Sequence, residues 1–208
     1  MIVLYTGTPG SSKSLHAAAD CRDALSRRWP HPVLGNFEIS EDAPIRHPEL
    51  YHYRPNHEMT VDWLTDFATD YWSTYEHGFR EDHINLIVDE CQLLFNSRRW
   101  NSKDRLSWLE FLSQHRKYGY KIILIAQSAK MIDNQFRMLV EYEINHRRFS
   151  SMGLVGGLLG ALTHNLAFMQ VKYLFPTSER LSARLYIAKR KDMAMYDTHK
   201  TFEKVLDS

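Results

Sequence analysis

Apolar positions along the chain repeat with two periods. Residues 2–6 (IVLYT) are continuously apolar and partly β-branched, the pattern of a strand buried on both faces. GTPGSS then turns the chain. From Ser12 to about Arg28, Leu15, Ala18, Cys21 and Leu25 recur every three or four residues and basic residues close the last turn, which predicts a helix. Residues 32–39 are a second strand candidate, whereas 41–60 carry Pro44, Pro48 and Pro55 and are expected to be mostly loop. Residues 60–76 read as an amphipathic helix whose Trp63, Phe67 and Tyr71, spaced by four, form a packing stripe. Residues 84–90 (INLIVDE) are a nearly unbroken apolar run ending in two acids. A helix is expected over 104–118, with Asp104 as its N-cap and Gly119 as its stop, followed by a buried-type strand, KIILIAQ, at 121–127. Residues 131–140 predict a short helix, 141–150 and 181–190 alternate like exposed strands, and 196–208 show no strong pattern.

Strands separated by helices as far as residue 127 predict an α/β fold. Its central sheet is mostly parallel with helices on both faces, and additional strands lie at an edge near the C-terminus. The 208 residues suit one domain, with 1–140 as its core and 141–208 as C-terminal strands and tail. Composition changes this picture little: 44% apolar and 25% charged residues are ordinary for a soluble globular chain. A net charge of +1 provides no global field for nucleic acid, so such a contact would need a local patch. Arg147-Arg148 and Lys189-Arg190-Lys191 are the basic islands, and each also reads as an ordinary solvated face. Cys21 and Cys91 have neither metal-ligand spacing nor the number for a disulfide framework, and the first residues lack the basic start of a signal peptide. A reducing, cytoplasmic setting is expected. MGLVGGLLGAL at 152–162 is about half the roughly 20 residues a spanning helix needs, and its glycines favour a loop. His47, His52 and His57, five residues apart, match no common metal pattern.

The candidate chemistry begins at 5–14, YTGTPGSSKS. Gly7, Lys13 and Ser14 fit the phosphate-loop pattern G-x-x-x-x-G-K-[ST], with Ser12 at the second glycine. A strand before and a helix after are the right context. Gly7, Thr8, Pro9, Gly10, Ser11, Ser12, Lys13 and Ser14 are then expected to hold nucleotide. Loop amides and the helix N-terminus cradle the phosphates, Lys13 reaches the outer ones, and the Ser14 hydroxyl binds Mg²⁺. If position 12 needs a positive φ, serine costs about 1 kcal/mol or more. Asp89, delivered by its apolar strand, is expected to hold Mg²⁺ through water, and Glu90 to orient or deprotonate the attacking water. Gln127, at the tip of a strand, is the candidate γ-phosphate sensor, although a polar residue also simply ends a strand. Together these predict Mg²⁺-dependent ATP hydrolysis. A nucleotide kinase lacks an arginine-rich lid here, and a non-hydrolysing nucleotide-binding scaffold is the other reading that Ser12 leaves open.

Through these residues the chain resembles the N-terminal ATPase domain of the zonular occludens toxin (Zot) family, which includes the assembly proteins of filamentous phages. The resemblance runs through GTPGSSKS at 7–14, VLGN at 33–36, IVDECQLLF at 87–95, RRW at 98–100, FLSQHRKYGYKIILIAQ at 111–127, MIDNQFRMLVE at 131–141 and MYDTH at 195–199. It implies a P-loop ATPase, using ATP and Mg²⁺, related to DNA-pumping and packaging motors. An extra strand is implied between the phosphate-loop strand and the acid-pair strand. The family also implies a homo-oligomeric ring, expected to be a hexamer, at the cytoplasmic face of the host inner membrane. There it would meet phage assembly and export proteins and the phage DNA–protein complex, and extrude virions. A viral genome-packaging ATPase is the alternative. Ring ATPases borrow arginines, for which Arg98, Arg99, Arg116 and Arg137 are candidates, each also readable as a solvated or salt-bridged residue; Arg116 and Arg137 are the expected catalytic ones. The membrane helix that usually follows this domain falls outside the 208 residues, so either a truncated chain or a soluble member reaching the membrane through a partner is expected.

Overall fold

Short apolar runs far apart in sequence line up side by side in the computed structural model, which describes residues 1–95, 102–149 and 166–195. The strands are β1 (Ile2–Thr6), β2 (Val33–Gly35), β3 (Tyr51–Tyr53), β4 (Ile84–Val88), β5 (Tyr120–Ile125), β6 (Tyr142–Arg148), β7 (Ala167–Leu174) and β8 (Glu179–Ile187). They form one sheet in the order β3-β2-β4-β5-β1-β6-β7-β8. The six strands from β3 to β6 are parallel, and β7 and β8 add an antiparallel hairpin. The mostly parallel sheet and the late edge strands are thus as expected.

Side-chain alternation explains why β1, β4 and β5 are nearly continuous apolar runs, interrupted by Asn85 and Lys121. Helix α1 (Lys13–Ser26) covers one face, where Ala18, Cys21 and Leu25 pack on Val3, Tyr5, Ile123 and Ile125. Helices α2 (Val61–Thr74) and α3 (Ser102–Gln114) cover the other, where Leu64, Trp108 and Leu112 pack on Leu4, Leu86 and Ile122. A strand buried on both faces has no polar side to alternate with. Trp63, Phe67 and Tyr71 lie against this second core as the stripe predicts. The short α4 (Asn134–Arg137) follows β5, and α5 (Arg190–Met193) is tied to α1 by a buried Arg22–Asp192 ion pair.

Several local expectations are corrected. Residues 41–60 are mostly loop as expected, but a 3-10 turn at Pro48–Leu50 leads into the unforeseen β3, which lengthens the sheet beside β2. Its YHY sequence is half-exposed, so no apolar run marks it. Helix α3 starts at Ser102, which puts Asp104 inside the first turn, where its charge suits the helix dipole, rather than at the cap. Strand β6 is an interior neighbour of β1, and β7, which no expected element covers, pairs along its length with β6 and β8. Among the described residues no cluster of His, Cys, Asp or Glu is placed to hold a metal on its own, and the His52 ring packs on Phe67 instead. No helix among them is long and apolar enough to cross a membrane. The run 152–162, Arg98, Arg99 and the tail 196–208 lie outside the described residues.

Gly119 stops the helical segment before β5, as predicted, with φ 79°. Its carbonyl accepts the N–H groups of His83 and Ile84 at 2.9 and 3.0 Å, so one turn fixes the starts of both β5 and β4. A Cβ at this position would lie 2.5 Å from the Trp72 ring and 2.9 Å from the Arg80 carbonyl. Gly119→Ala combines that clash with a positive φ and is expected to lower unfolding free energy by about 2 kcal/mol or more, read from the denaturant midpoint.

Candidate functional site

Parallel strands bring their C-terminal ends to one edge, and the predicted residues meet there. The phosphate-loop pattern follows β1, Asp89-Glu90 follows β4, and Gln127 lies just past β5, the strand between them. This is the extra strand that the resemblance implies. The Gly7 amide donates to the Gln127 carbonyl at 3.3 Å, and the Gln127 side chain is exposed. The Ser14 hydroxyl donates to Asp89 Oδ2 at 2.9 Å. That contact spans two strand spacings, about 10 Å, and ties the first turn of α1 to the end of β4.

Charge is concentrated here. Lys13 is buried, with Nζ donating to the Thr8 carbonyl at 3.2 Å. Burial lowers the pKa of its ammonium, and the Glu90 and Asp89 carboxylates oppose that shift. Burial raises the pKa of Asp89, opposed by hydrogen bonds from Ser14 and the Glu90 amide. Two hard oxygen donors, the Ser14 hydroxyl and the Asp89 carboxylate, stand together, a donor set that fits Mg²⁺. Glu90 is exposed and left-handed, φ 48° and ψ 44°, with its amide on Asp89 Oδ1 at 2.8 Å and its carboxylate accepting from the Gln92 amide.

Ser12 has φ 76° and ψ 20°, the backbone shape for which the phosphate-loop pattern places glycine. Its hydroxyl and that of Ser11 are buried without a hydrogen-bond partner. Behind the loop stands β6. The His146 carbonyl would be only 2.3 Å from a Cβ on Gly7, so that position admits no side chain. The His146 ring Nδ1 lies 3.2 Å from the Thr6 carbonyl and therefore carries the hydrogen, leaving Nε2 to accept from His16 Nδ1 at 2.9 Å. Burial, then the His16 neighbour, pulls the His146 pKa down to about 3. Arg148 Nη2 donates to the Gly10 carbonyl at 3.1 Å.

Among the described arginine candidates, Arg116 and Arg137 are engaged elsewhere than at the loop of their own chain. Arg116 pairs with Glu141 at 2.8 Å, at the edge where the strands begin. The length of a five-residue strand, roughly 16 Å, separates that edge from the site. Arg137 donates to Asn134 on its own short helix at 2.7 Å. Sequence reasoning missed Asn36, Gln92, His146 and Arg148 as site residues. Asn36 ends the VLGN stretch, and its side chain pairs with the Asp89 backbone. No local pattern marks these four, since each reaches the site through a partner distant in sequence or through a turn.

The profile of the family described as zonular occludens toxin (Zot) matches residues 1–167. The Gene 1 protein of Enterobacteria phage M13 is 35% identical over 136 residues, covering 59% of this chain and 38% of that protein. The Gene 1 protein of Escherichia phage If1 is 29% identical over 222 positions, covering 97% and 59%. The chain thus spans less than two-thirds of the length of these relatives. Among solved structures, the N-terminal domain of zonular occludens toxin from Neisseria meningitidis superposes with a TM-score of 0.59 at 19% identity, covering 94% of this chain and 98% of that one. B204, the DNA-packaging ATPase from Sulfolobus Turreted Icosahedral Virus, superposes with 0.56 at 15% identity, covering 91% and 98%. Both likenesses show the fold, an α/β sheet shared over nearly the whole of each chain.

Ser12→Gly relieves the positive φ and is expected to raise unfolding free energy by about 0.5–1 kcal/mol, measured by thermal or denaturant melting. The pH dependence follows from His146. Its folded pKa is about 3, below that of an unfolded histidine, so acid protonates the unfolded chain first. Stability is therefore full above about pH 6.5 and falls as pH drops towards 3, by on the order of 2 kcal/mol between pH 6.5 and 5. Melting across that range measures it, and His83, pulled down to about 4 chiefly by burial, acts in the same direction.

Proposed function

The chain belongs to the zonular occludens toxin family, and on that premise we propose that it is a Mg²⁺-dependent ATPase powering filamentous-phage assembly and extrusion. The observation that carries the reading is the 2.9 Å contact between Ser14 and Asp89, which joins the phosphate-loop helix to the acid-pair strand. A strand-turn-helix with an unrelated acidic turn has no reason to bring these two side chains together.

In this reading the loop amides and the N-terminus of α1 receive the phosphates of ATP. Lys13 exchanges the Thr8 carbonyl for the outer phosphate oxygens, which explains why a buried ammonium is kept between two carboxylates. The Ser14 hydroxyl and, through water, the Asp89 carboxylate would hold Mg²⁺, which would supply neutralisation of phosphate charge. Glu90 takes the proton of the attacking water, and its contact with Gln92 fixes where that carboxylate starts from. Gln127, between loop and acids, faces the outermost phosphate. Arg116 and Arg137 serve, in this proposal, a neighbouring subunit of a homo-oligomeric ring, hexameric by the family's expectation. The partners are phage assembly and export proteins and the phage DNA–protein complex, at the cytoplasmic face of the inner membrane. The likeness to B204 supports a second reading, a viral genome-packaging motor. Neighbouring coat-protein and adsorption-protein genes favour extrusion, and a major-capsid gene favours packaging.

Purified protein is expected to release phosphate from ATP only with Mg²⁺. Lys13→Ala should weaken nucleotide binding at least tenfold. Glu90→Gln should keep binding and lose turnover by about a hundredfold or more. Binding without turnover in the assembled wild type would favour a scaffold, and phosphate transfer to a nucleoside monophosphate would favour a kinase.

A further inference from the structure

Strand β2 ends at Gly35, in register with Ile87 of β4. One residue later the two backbones part, and the Asn36 side chain takes over the ladder. Its Oδ1 accepts the Asp89 N–H at 2.7 Å, and its Nδ2 donates to the Asp89 carbonyl at 2.7 Å. The same nitrogen donates to Asn56 Oδ1 at 2.7 Å, in the segment between β3 and α2. One amide therefore holds both backbone groups of the residue that carries the Ser14 contact, and a second amide braces the first.

We propose that Asn36 is a positioning residue for the acid pair, with Asn56 as its brace; the catalytic part of this inference rests on the ATPase reading above. Fixing both backbone groups of Asp89 fixes the plane of the peptide that leads into Glu90. Glu90 is in a left-handed conformation that a non-glycine residue keeps only where its surroundings over-determine it. On its N-terminal side the Glu90 amide bonds Asp89 Oδ1 and the Asp89 peptide is held by Asn36; on its C-terminal side the Leu93 amide donates to the Glu90 carbonyl and Gln92 to its carboxylate. Without Asn36 the turn relaxes towards an ordinary backbone shape. The Glu90 carboxylate then leaves its place although Glu90 itself is unchanged, and the phosphate loop on β1, two strands away, is left as it was.

The full chain carrying Asn36→Ala is compared with wild type in three measurements. Hydrogen exchange at the Asp89 and Glu90 amides, without nucleotide or metal, is expected to accelerate at least tenfold. ATP turnover should fall at least tenfold in kcat, while affinity for a non-hydrolysable ATP analogue stays within threefold. Asn56→Ala keeps both bonds to Asp89 and should show the same pattern at a two- to fivefold level, and it carries the test if Asn36→Ala does not fold. Unchanged exchange with kcat within twofold of wild type overturns the inference. So does a loss of kcat and affinity together in step with a lowered melting temperature, which is a folding defect alone. A wild type that neither binds nor hydrolyses ATP overturns the ATPase reading instead, and exchange at Asp89 still decides whether Asn36 positions it.

Discussion

The hydrogen bond from Ser14 to Asp89 is the joint on which the molecule turns. It joins a helix start and a strand end that parallel packing leaves about two strand spacings apart. For it to form, β5 must lie between β1 and β4 in register, α1 must leave the loop at one angle, and β4 must stop after Val88. Each condition comes from apolar burial, which is non-directional. The polar contact then selects one among the compact arrangements that burial permits.

The charged groups around that joint are mutually dependent. Lys13 and Asp89 each bear a desolvation penalty, and each is partly compensated by the other or by its near neighbours. A buried group whose preferred partner is within reach but not fully matched keeps an appetite for a stronger one. The loop adds the same tension in its backbone, where Ser12 holds a left-handed shape and two serine hydroxyls are buried unpaired. Such costs cluster where the fold elsewhere has stability to spare, and here the sheet beneath supplies it.

What was legible in the sequence follows from what is local. Strands β1, β4 and β5 announce themselves because burial on both faces makes them almost wholly apolar. The loop, the acid pair and Gln127 are readable because each sits at the tip of such a strand. Strand β3 is not, since three half-exposed residues between prolines carry no period. Strand β7 is held by its two neighbours rather than by a continuous apolar face. Asn36 and His146 become site residues only when β2 and β6 come to lie beside β4 and β1. Arg116 shows the converse: a basic residue near the end of a helix looks available, yet its charge is met by Glu141 from a distant part of the chain.

Strand β1 carries the loop but finds its partners far downstream, pairing Ile2 with Ile122 and Val3 with Tyr142. Such pairing closes a very long loop before any contact rewards it. During synthesis, at about 5–20 residues per second, the first strand waits on the order of 10 s for the strands that will flank it. The phosphate loop, the first piece of the site to leave the ribosome, is thus the last to be held in place. A partly made chain carries the signature of the site without its architecture, and β6, by pairing beside β1, completes the parallel part of the sheet and sets the wall behind the loop.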